Sequence, residues 1–243
     1  MKYPEAVTGR PHEQLRLTAD LAILTVRGGR LEVLTVNRGN EPFRGRPALP
    51  GGFVRPRETV DETAVRELAE ETGLAGLHLE QLRVFSDPKR DPRGRVVTVA
   101  YLAVAPDLPA PRAGSDAMAA AWEPVDRMLG PHGDLAFDHT AILAAALERA
   151  RTKLEYTTLA TAFCDDTFTI ADLRGVYEAL WGIGLDHRNF SRKVLNTNGF
   201  IVATGRRTSS RLGRPAMLYQ RGSADNLHPP MLRQSLHPEA AGD

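Results

Sequence analysis

Apolar residues first gather in two short runs, Leu17 to Val26 and Leu31 to Val36, rich in aliphatic and β-branched side chains. Runs of this kind predict strands, and Arg27-Gly28-Gly29-Arg30 between them predicts a hairpin turn. Leu77 to Phe85 and Val96 to Val104 predict two more, the second so continuously apolar that it belongs inside a sheet. Between these pairs the period changes. Thr59 with Glu62 three residues on is a capping-box pair, Asp61 and Glu62 suit the positive end of a helix dipole, and Gly73 suits a left-handed stop. On that helix Glu67, Glu70 and Glu71 share one face, and Val65, Leu68, Ala69 and Thr72 lie opposite as the face to bury.

A second pattern follows Tyr156. Thr157 to Phe163 is a short helix candidate. From Thr169 to Trp181, apolar Ile170, Leu173, Val176, Tyr177, Leu180 and Trp181 recur at helical spacing. Gly182 and Gly184 make a turn, and Asp186 caps a third helix running to about Thr197, before Gly199. Phe190, Val194 and Leu195 are expected inside it, and Arg188, Arg192, Lys193 and Asn196 outside. Phe200 to Ala203 and Ala216 to Tyr219 read as short strands around a basic hairpin holding Arg206, Arg207, Arg211 and Arg214. Helix, helix, turn, helix and basic hairpin is the outline of a winged helix-turn-helix, whose third helix enters the DNA major groove. A helical subdomain used only for dimerisation has the same outline.

Charge separates these two readings. The chain has net charge +1, yet residues 186–221 hold eight arginines and lysines against Asp186 alone. Such a local excess of +7 favours a polyanion partner. Composition otherwise describes a soluble globular protein: 42% hydrophobic and 25% charged residues exclude a disordered or membrane-embedded chain. One cysteine, Cys164, excludes an internal disulfide. Neither an apolar run of membrane-spanning length nor a signal-peptide core is present, so a cytoplasmic protein is expected.

The acidic helix is where chemistry concentrates. Three glutamates on a helix often form only a solvated face. However, Glu67 and Glu71 are like charges at i, i+4, which calls for a compensating cation. Mg²⁺ takes carboxylate oxygens and bridges to substrate phosphates, and Leu49-Pro50-Gly51-Gly52 just upstream is a loop in which bare backbone can approach an anion or a metal. Gly52, five residues, Glu58, seven residues, then Arg66-Glu67-Leu68-Ala69-Glu70-Glu71-Thr72-Gly73-Leu74 resembles the Nudix box with each defining position filled. The resemblance implies a Nudix fold, a mixed sheet sandwiched by helices. It implies Mg²⁺ or Mn²⁺ held by Glu67, Glu70, Glu71 and the Gly51 carbonyl, with Arg66 orienting the carboxylates and Glu58 supporting the loop.

The loop Ser86 to Arg95 is Pro- and Gly-rich with four basic residues, which by itself is most often a solvated turn. Its DPKRDPRGRVVTVAY context resembles Nudix proteins that bind or cleave ADP-ribose. Arg90, Asp91 and Arg93, with Arg38, Gly51 and Gly52, are therefore the expected ligand contacts. Ser115-Asp116-Ala117 with Trp122, then Leu135 to His139 and a helix from Thr140 to Leu154, resembles the latter half of the same domain, with His139 structural. A tryptophan usual in the family before L-P-G-G is absent, since Gly45-Arg46-Pro47-Ala48 stands there.

Taken together, residues 15 to 220 resemble the Nudix-related transcriptional regulators of NAD metabolism, the NrtR family. The resemblance implies a Nudix domain at 15–154 and a winged helix-turn-helix domain at 155–221, while polar, proline-bearing composition predicts an arm at 1–14 and a disordered tail at 222–243. The resemblance also implies a homodimer that binds ADP-ribose as effector and grips a palindromic operator near genes of NAD synthesis or salvage. The alternative is a Mg²⁺-dependent ADP-ribose pyrophosphatase, yielding AMP and ribose 5-phosphate, whose C-terminal domain serves assembly.

Overall fold

The computed structural model describes residues 14–106, 117–209 and 215–236. Strands β1 (Arg16–Arg27) and β2 (Arg30–Arg38) form the expected hairpin, with Gly28 and Gly29 at φ 54° and 76°. Two successive left-handed residues match the twist of the strands they join, and glycine adopts them without a Cβ clash. β3 (Pro47–Ala48) borders β2, and β4 (Gly51–Phe53) runs antiparallel to β1. After α1 (Val60–Thr72) come β5 (Glu80–Phe85), β6 (Val96–Val104), β7 (Ala117–Pro124), α2 (Val125–Leu129) and α3 (His139–Tyr156). β6 lies parallel to β1 and antiparallel to β5, so the most apolar run is an interior strand of a mixed sheet.

The alternation along β1 divides the core. Leu21 and Ile23 join Leu34, Ala64 and Leu68 beneath α1, while Ala22 and Leu24 join Ile142, Leu143 and Ala146 beneath α3. Helices thus cover both faces of the sheet.

Three local expectations need correction. Leu77 and Leu79 precede β5; they pack against the α1-side core from an unpaired segment. Val65 and Ala69 are exposed, because α1 buries Ala64, Leu68 and Thr72 at i, i+4 and i+8 and adds Thr63 and Glu67 on the flank. Leu195 is likewise exposed, lying at helical spacing beside Arg188 and Arg192 rather than beside Phe190 and Val194.

A 3₁₀ turn (Thr158–Phe163) leads to α4 (Ile170–Trp181), α5 (His187–Asn196) and the hairpin of β8 (Ile201–Arg207) and β9 (Met217–Arg221). β8 is longer than expected and carries the chain through Arg206 and Arg207. The division expected between residues 154 and 155 falls inside α3, which runs unbroken to Tyr156. The expectation of a disordered tail is overturned for residues 222–236. Leu227, Met231 and Leu236 are buried, and Leu227 and Met231 donate backbone hydrogen bonds to the Tyr156 and Glu155 carbonyls. The last turn, α6 (Arg233–Leu236), is tied to the domain junction by Arg233, whose guanidinium donates to the Trp181 carbonyl. Widely spaced apolar anchors hold this segment, which is why it shows no periodicity. Residues 1–13, Ser115, Asp116, Arg211, Arg214 and residues 237–243 lie outside the described residues.

Candidate functional site

α1 begins at Thr59, whose hydroxyl accepts the Glu62 N–H while the Glu62 carboxylate accepts the Thr59 N–H, and ends at Gly73 with φ 69°. That frame sets the phase of the carboxylates. Arg66 stands at their centre: its Nη1 lies 2.6 Å from Glu67 Oε1 and 3.0 Å from Glu70 Oε2, and its Nε lies 2.8 Å from Glu58 Oε1. Arg66 also donates to the Phe53 carbonyl, and Glu58 accepts the Arg55 N–H, so one guanidinium fastens helix to loop. The hydrogen bond to Arg66 holds the Glu58 carboxyl down to about 2. Glu67 goes the other way: burial pushes its pKa up, and Arg66 only partly opposes this.

Glu71 turns elsewhere. Its Oε2 accepts the Gly51 N–H at 2.9 Å, joining the acidic helix to the glycine loop. Both glycines are required by contact. A Cβ on Gly51 would sit 2.4 Å from the Ala19 carbonyl oxygen, and one on Gly52 would sit 2.0 Å from Glu67 Oε1. The three expected metal ligands therefore share a neighbourhood but do not converge, and among the described residues no trio of His, Cys, Asp or Glu forms a ready-made cation cluster. Arg66 and Arg55 take the Glu70 carboxylate, and Arg66 occupies the space between Glu67 and Glu70. By donor chemistry the set still fits a hard divalent ion, because it offers carboxylate oxygens on adjacent turns, one of them desolvated.

Beside this helix opens a cleft of about 180 Å³, and Glu71 is among the residues that line it. All six residues expected to contact the ligand line it, namely Arg38, Gly51, Gly52, Arg90, Asp91 and Arg93. Their roles differ. Arg38 and Arg93 both lie over the Phe137 ring, at 4.6 and 5.1 Å from its centre, and Arg93 also faces Phe53 at 5.1 Å. Burial and then the neighbouring Arg93 charge lower the Arg38 pKa, against the opposing pull of Asp91, Glu71 and Asp20.

Arg90 and Asp91, by contrast, are buried and already engaged. Arg90 clasps Asp138 with two hydrogen bonds, at 2.9 and 2.6 Å, and reaches Asp20 at 3.3 Å; these partners outweigh its burial and raise its pKa. Asp91 is taken by Arg93, which overcomes burial and lowers the carboxyl pKa. They brace the cleft wall as well as line it. His139 is the first residue of α3, fully buried, and its Nδ1 accepts the Leu49 N–H at 2.9 Å. It is structural, as expected.

Sequence reasoning missed Asp20, Phe53 and Phe137 as cleft residues. Asp20 had a signal: it is the one charge inside the apolar run from Leu17 to Val26. Phe137 had none, because its place depends on a left-handed backbone (φ 56°) and on edge-on contact with Phe43 at 4.9 Å.

The second site is α5. Asp186 caps it by accepting the Asn189 N–H, and Phe190 and Val194 are buried, with the Phe190 and Tyr177 rings 5.3 Å apart. Arg188, Arg192 and Asn196 consequently line the exposed face, and Lys193 is half-buried beside them. Arg206 and Arg207 are exposed on the hairpin, Arg207 donating to the Pro215 carbonyl. The structure thus presents on one unit the basic helix and basic wing that the charge count required.

Comparison with known proteins finds relatives for both regions of the chain. The NUDIX domain model matches residues 15–146, and the NrtR DNA-binding winged helix domain model matches residues 160–220. The ADPR responsive transcriptional repressor NtrR of Acinetobacter baylyi is 33% identical over 206 residues, 84% of this chain and 81% of that protein. The ADP-ribose pyrophosphatase of Methanocaldococcus jannaschii is 41% identical over 114 residues, 46% of this chain and 63% of that protein. Shewanella oneidensis NrtR complexed with a 27mer DNA superposes with TM-score 0.72 at 32% identity, covering 87% of this chain and 99% of that one. The NUDIX domain of the same protein, complexed with ADP ribose, superposes with TM-score 0.53 at 34% identity over 58% of this chain and 94% of that one. No helix among the described residues is long and apolar enough to cross a membrane. With a Nudix domain over more than half its length and the dedicated winged helix behind it, the chain belongs to the NrtR family of Nudix-related transcriptional regulators.

Proposed function

We propose that this protein is an ADP-ribose-responsive transcriptional repressor of NAD synthesis or salvage genes, acting in the cytoplasm as a homodimer on a palindromic operator. The observation that carries this reading is that one helix, α3, joins a cleft rimmed by arginines and carboxylates to a unit presenting Arg188 and Arg192. The diphosphate of ADP-ribose suits Arg38 and Arg93, whose guanidinium forks match phosphate oxygens. On DNA, the wing residues Arg206, Arg207, Arg211 and Arg214 contact phosphates, while Arg188, Arg192, Lys193 and Asn196 approach base edges. A two-fold protein accounts for a palindromic site. ADP-ribose acts by binding the DNA-free arrangement more tightly than the DNA-bound one, because a ligand with equal affinity for both shifts nothing.

A second activity, hydrolysis of the effector to AMP and ribose 5-phosphate, is favoured by the complete set Glu58, Arg66, Glu67, Glu70 and Glu71 and by the likeness to an archaeal ADP-ribose pyrophosphatase. Mg²⁺ or Mn²⁺, held by Glu67, Glu70, Glu71 and the Gly51 carbonyl, would supply neutralisation of the diphosphate and a more acidic water. Arg66 holds the Glu67 and Glu70 carboxylates in position. Gly52 lets the Glu67 carboxylate lie against the backbone. Phe53 and Phe137 hold Arg93 where a phosphate can meet it.

The test is paired: DNA from the gene's own upstream region is titrated with protein, with and without ADP-ribose, and AMP release is followed in the same preparation with Mg²⁺. Ligand-sensitive DNA binding is expected. Rapid AMP release with no DNA binding at low salt would make the protein a hydrolase instead.

A further inference from the structure

The first two residues of the α3 segment are tied to opposite walls of the cleft. Asp138, at the N-cap position, makes no capping bond, because its carboxylate is spent on Arg90 in the loop before β6. His139 accepts the Leu49 N–H, and two residues further along that loop Gly51 donates to Glu71. Burial lowers the His139 pKa and keeps the ring neutral, so its Nδ1 lone pair stays available. With the Ala136 N–H donating to the Pro47 carbonyl at 2.8 Å, the Leu49–His139 bond is one of two hydrogen bonds that fasten the Pro47–Gly52 segment to the start of α3, and the one that a side chain supplies.

The other end of α3 carries the winged helix. The Leu154 carbonyl accepts the Tyr177 hydroxyl at 3.0 Å, and Arg151 Nε donates to the Leu180 carbonyl at 2.7 Å. The Glu155 and Tyr156 carbonyls receive Met231 and Leu227 from the C-terminal segment. At 1.5 Å per residue, α3 is a rod of about 27 Å between the two attachments. A packed helix moves as a unit, so a shift imposed at its first residue reaches α4 and, through Tyr177 and Phe190, reaches α5.

We propose that His139 is a positioning residue that couples occupancy of the cleft to the placement of the winged helix, by tethering the Leu49–Gly52 loop to the start of α3. This rests on the reading of the cleft as the ADP-ribose site. Without the acceptor, the Leu49 N–H is orphaned and only the Ala136–Pro47 backbone bond and apolar packing still link this segment to α3, so ligand still meets the cleft but the DNA-binding unit follows it less closely.

The experiment compares DNA affinity with and without ADP-ribose, at ligand concentrations saturating each variant, for wild type, His139→Leu and His139→Asn. Asparagine places its Oδ1 close to where Nδ1 stood and restores the acceptor. We expect the ligand-induced change in DNA affinity to fall about tenfold in His139→Leu, within the usual range of such couplings, and to be retained in His139→Asn. Full coupling in His139→Leu, or equal loss in both variants, would overturn the proposal. A second measurement on the unaltered protein guards against a misfolded variant. ADP-ribose should change amide hydrogen exchange in the last turn of α3, at Leu154 to Tyr156, and unchanged exchange there counts against the proposal. A wild type whose DNA binding ignores ADP-ribose would instead remove the regulatory reading itself.

Discussion

The Glu67 carboxylate lies so close to the backbone of Gly52 that a Cβ there would stand 2.0 Å from Oε1. Glu67 has nowhere else to go: it is buried and held by Arg66 at 2.6 Å. Gly52→Ala is therefore expected to displace the carboxylate, costing about 1–3 kcal/mol as an overpacked site and removing any AMP release. Urea unfolding and an AMP assay on the same preparation check both effects.

Glu70 is the contrasting case. Its side chain is 47% exposed and is reached by Arg55 and Arg66 at the surface, so an exposed substitution there should change stability by less than about 0.5 kcal/mol. Glu70→Gln is expected to abolish ADP-ribose hydrolysis while leaving the unfolding midpoint in place. Full turnover in this variant would mean that the cation site lies elsewhere.

The local order of the chain was legible to the degree that it was periodic or capped. The Thr59–Glu62 box, the Thr169 start of α4, the Asp186 cap and the Gly28-Gly29 turn are all set by neighbours within four residues. What stayed hidden depends on distant partners. Arg90 looks like any loop arginine until Asp138, 48 residues away, takes it into the wall. Phe137 becomes a platform for Arg38 and Arg93 only through its left-handed backbone. The segment after Arg221 reads as polar and aperiodic because its anchors, Leu227, Met231 and Leu236, meet a surface made by α3 and α4.

Those anchors yield a stability prediction. Leu227 is 1% exposed within the main core. Leu227→Ala should cost about 2–5 kcal/mol, the range for a large core side chain that leaves a cavity. A disordered tail would give no measurable change in thermal or urea unfolding, which makes this a direct check on the ordering of residues 222–236.

The Glu58–Arg66 pair predicts a pH dependence. The Glu58 carboxyl is held down to about 2 by Arg66, against an ordinary value of 4.5. A lowered folded-state pKa means that the unfolded chain takes up the proton first. The stabilisation is thus complete above about pH 4.5 and is lost as the pH falls toward 2. Glu58→Gln should be less stable than wild type at pH 7, and the gap should narrow through that window. Urea midpoints measured from pH 7 to pH 2.5 test this, and a constant gap would show that the pair is not ionic.

The proposed DNA-binding helix α5 can be separated from the cleft by one double substitution. Arg192 is exposed on α5, with its Nη2 3.0 Å from Asn189 Oδ1, so its guanidinium is pre-oriented along the helix surface. Burial and then the adjacent Arg192 charge lower the Lys193 pKa, so two cations stand side by side on α5. Neither residue lines the cleft. Replacing both with alanine should weaken operator binding by about 100-fold or more, since a good base-edge pair contributes about 1–3 kcal/mol and a phosphate contact adds further electrostatic affinity. The slope of log affinity against log salt should become shallower by about one to two, because each lost phosphate contact releases about one counterion fewer. ADP-ribose affinity, measured calorimetrically, should be unchanged. If the double variant binds DNA as wild type does, recognition belongs to the wing alone and α5 is only its support.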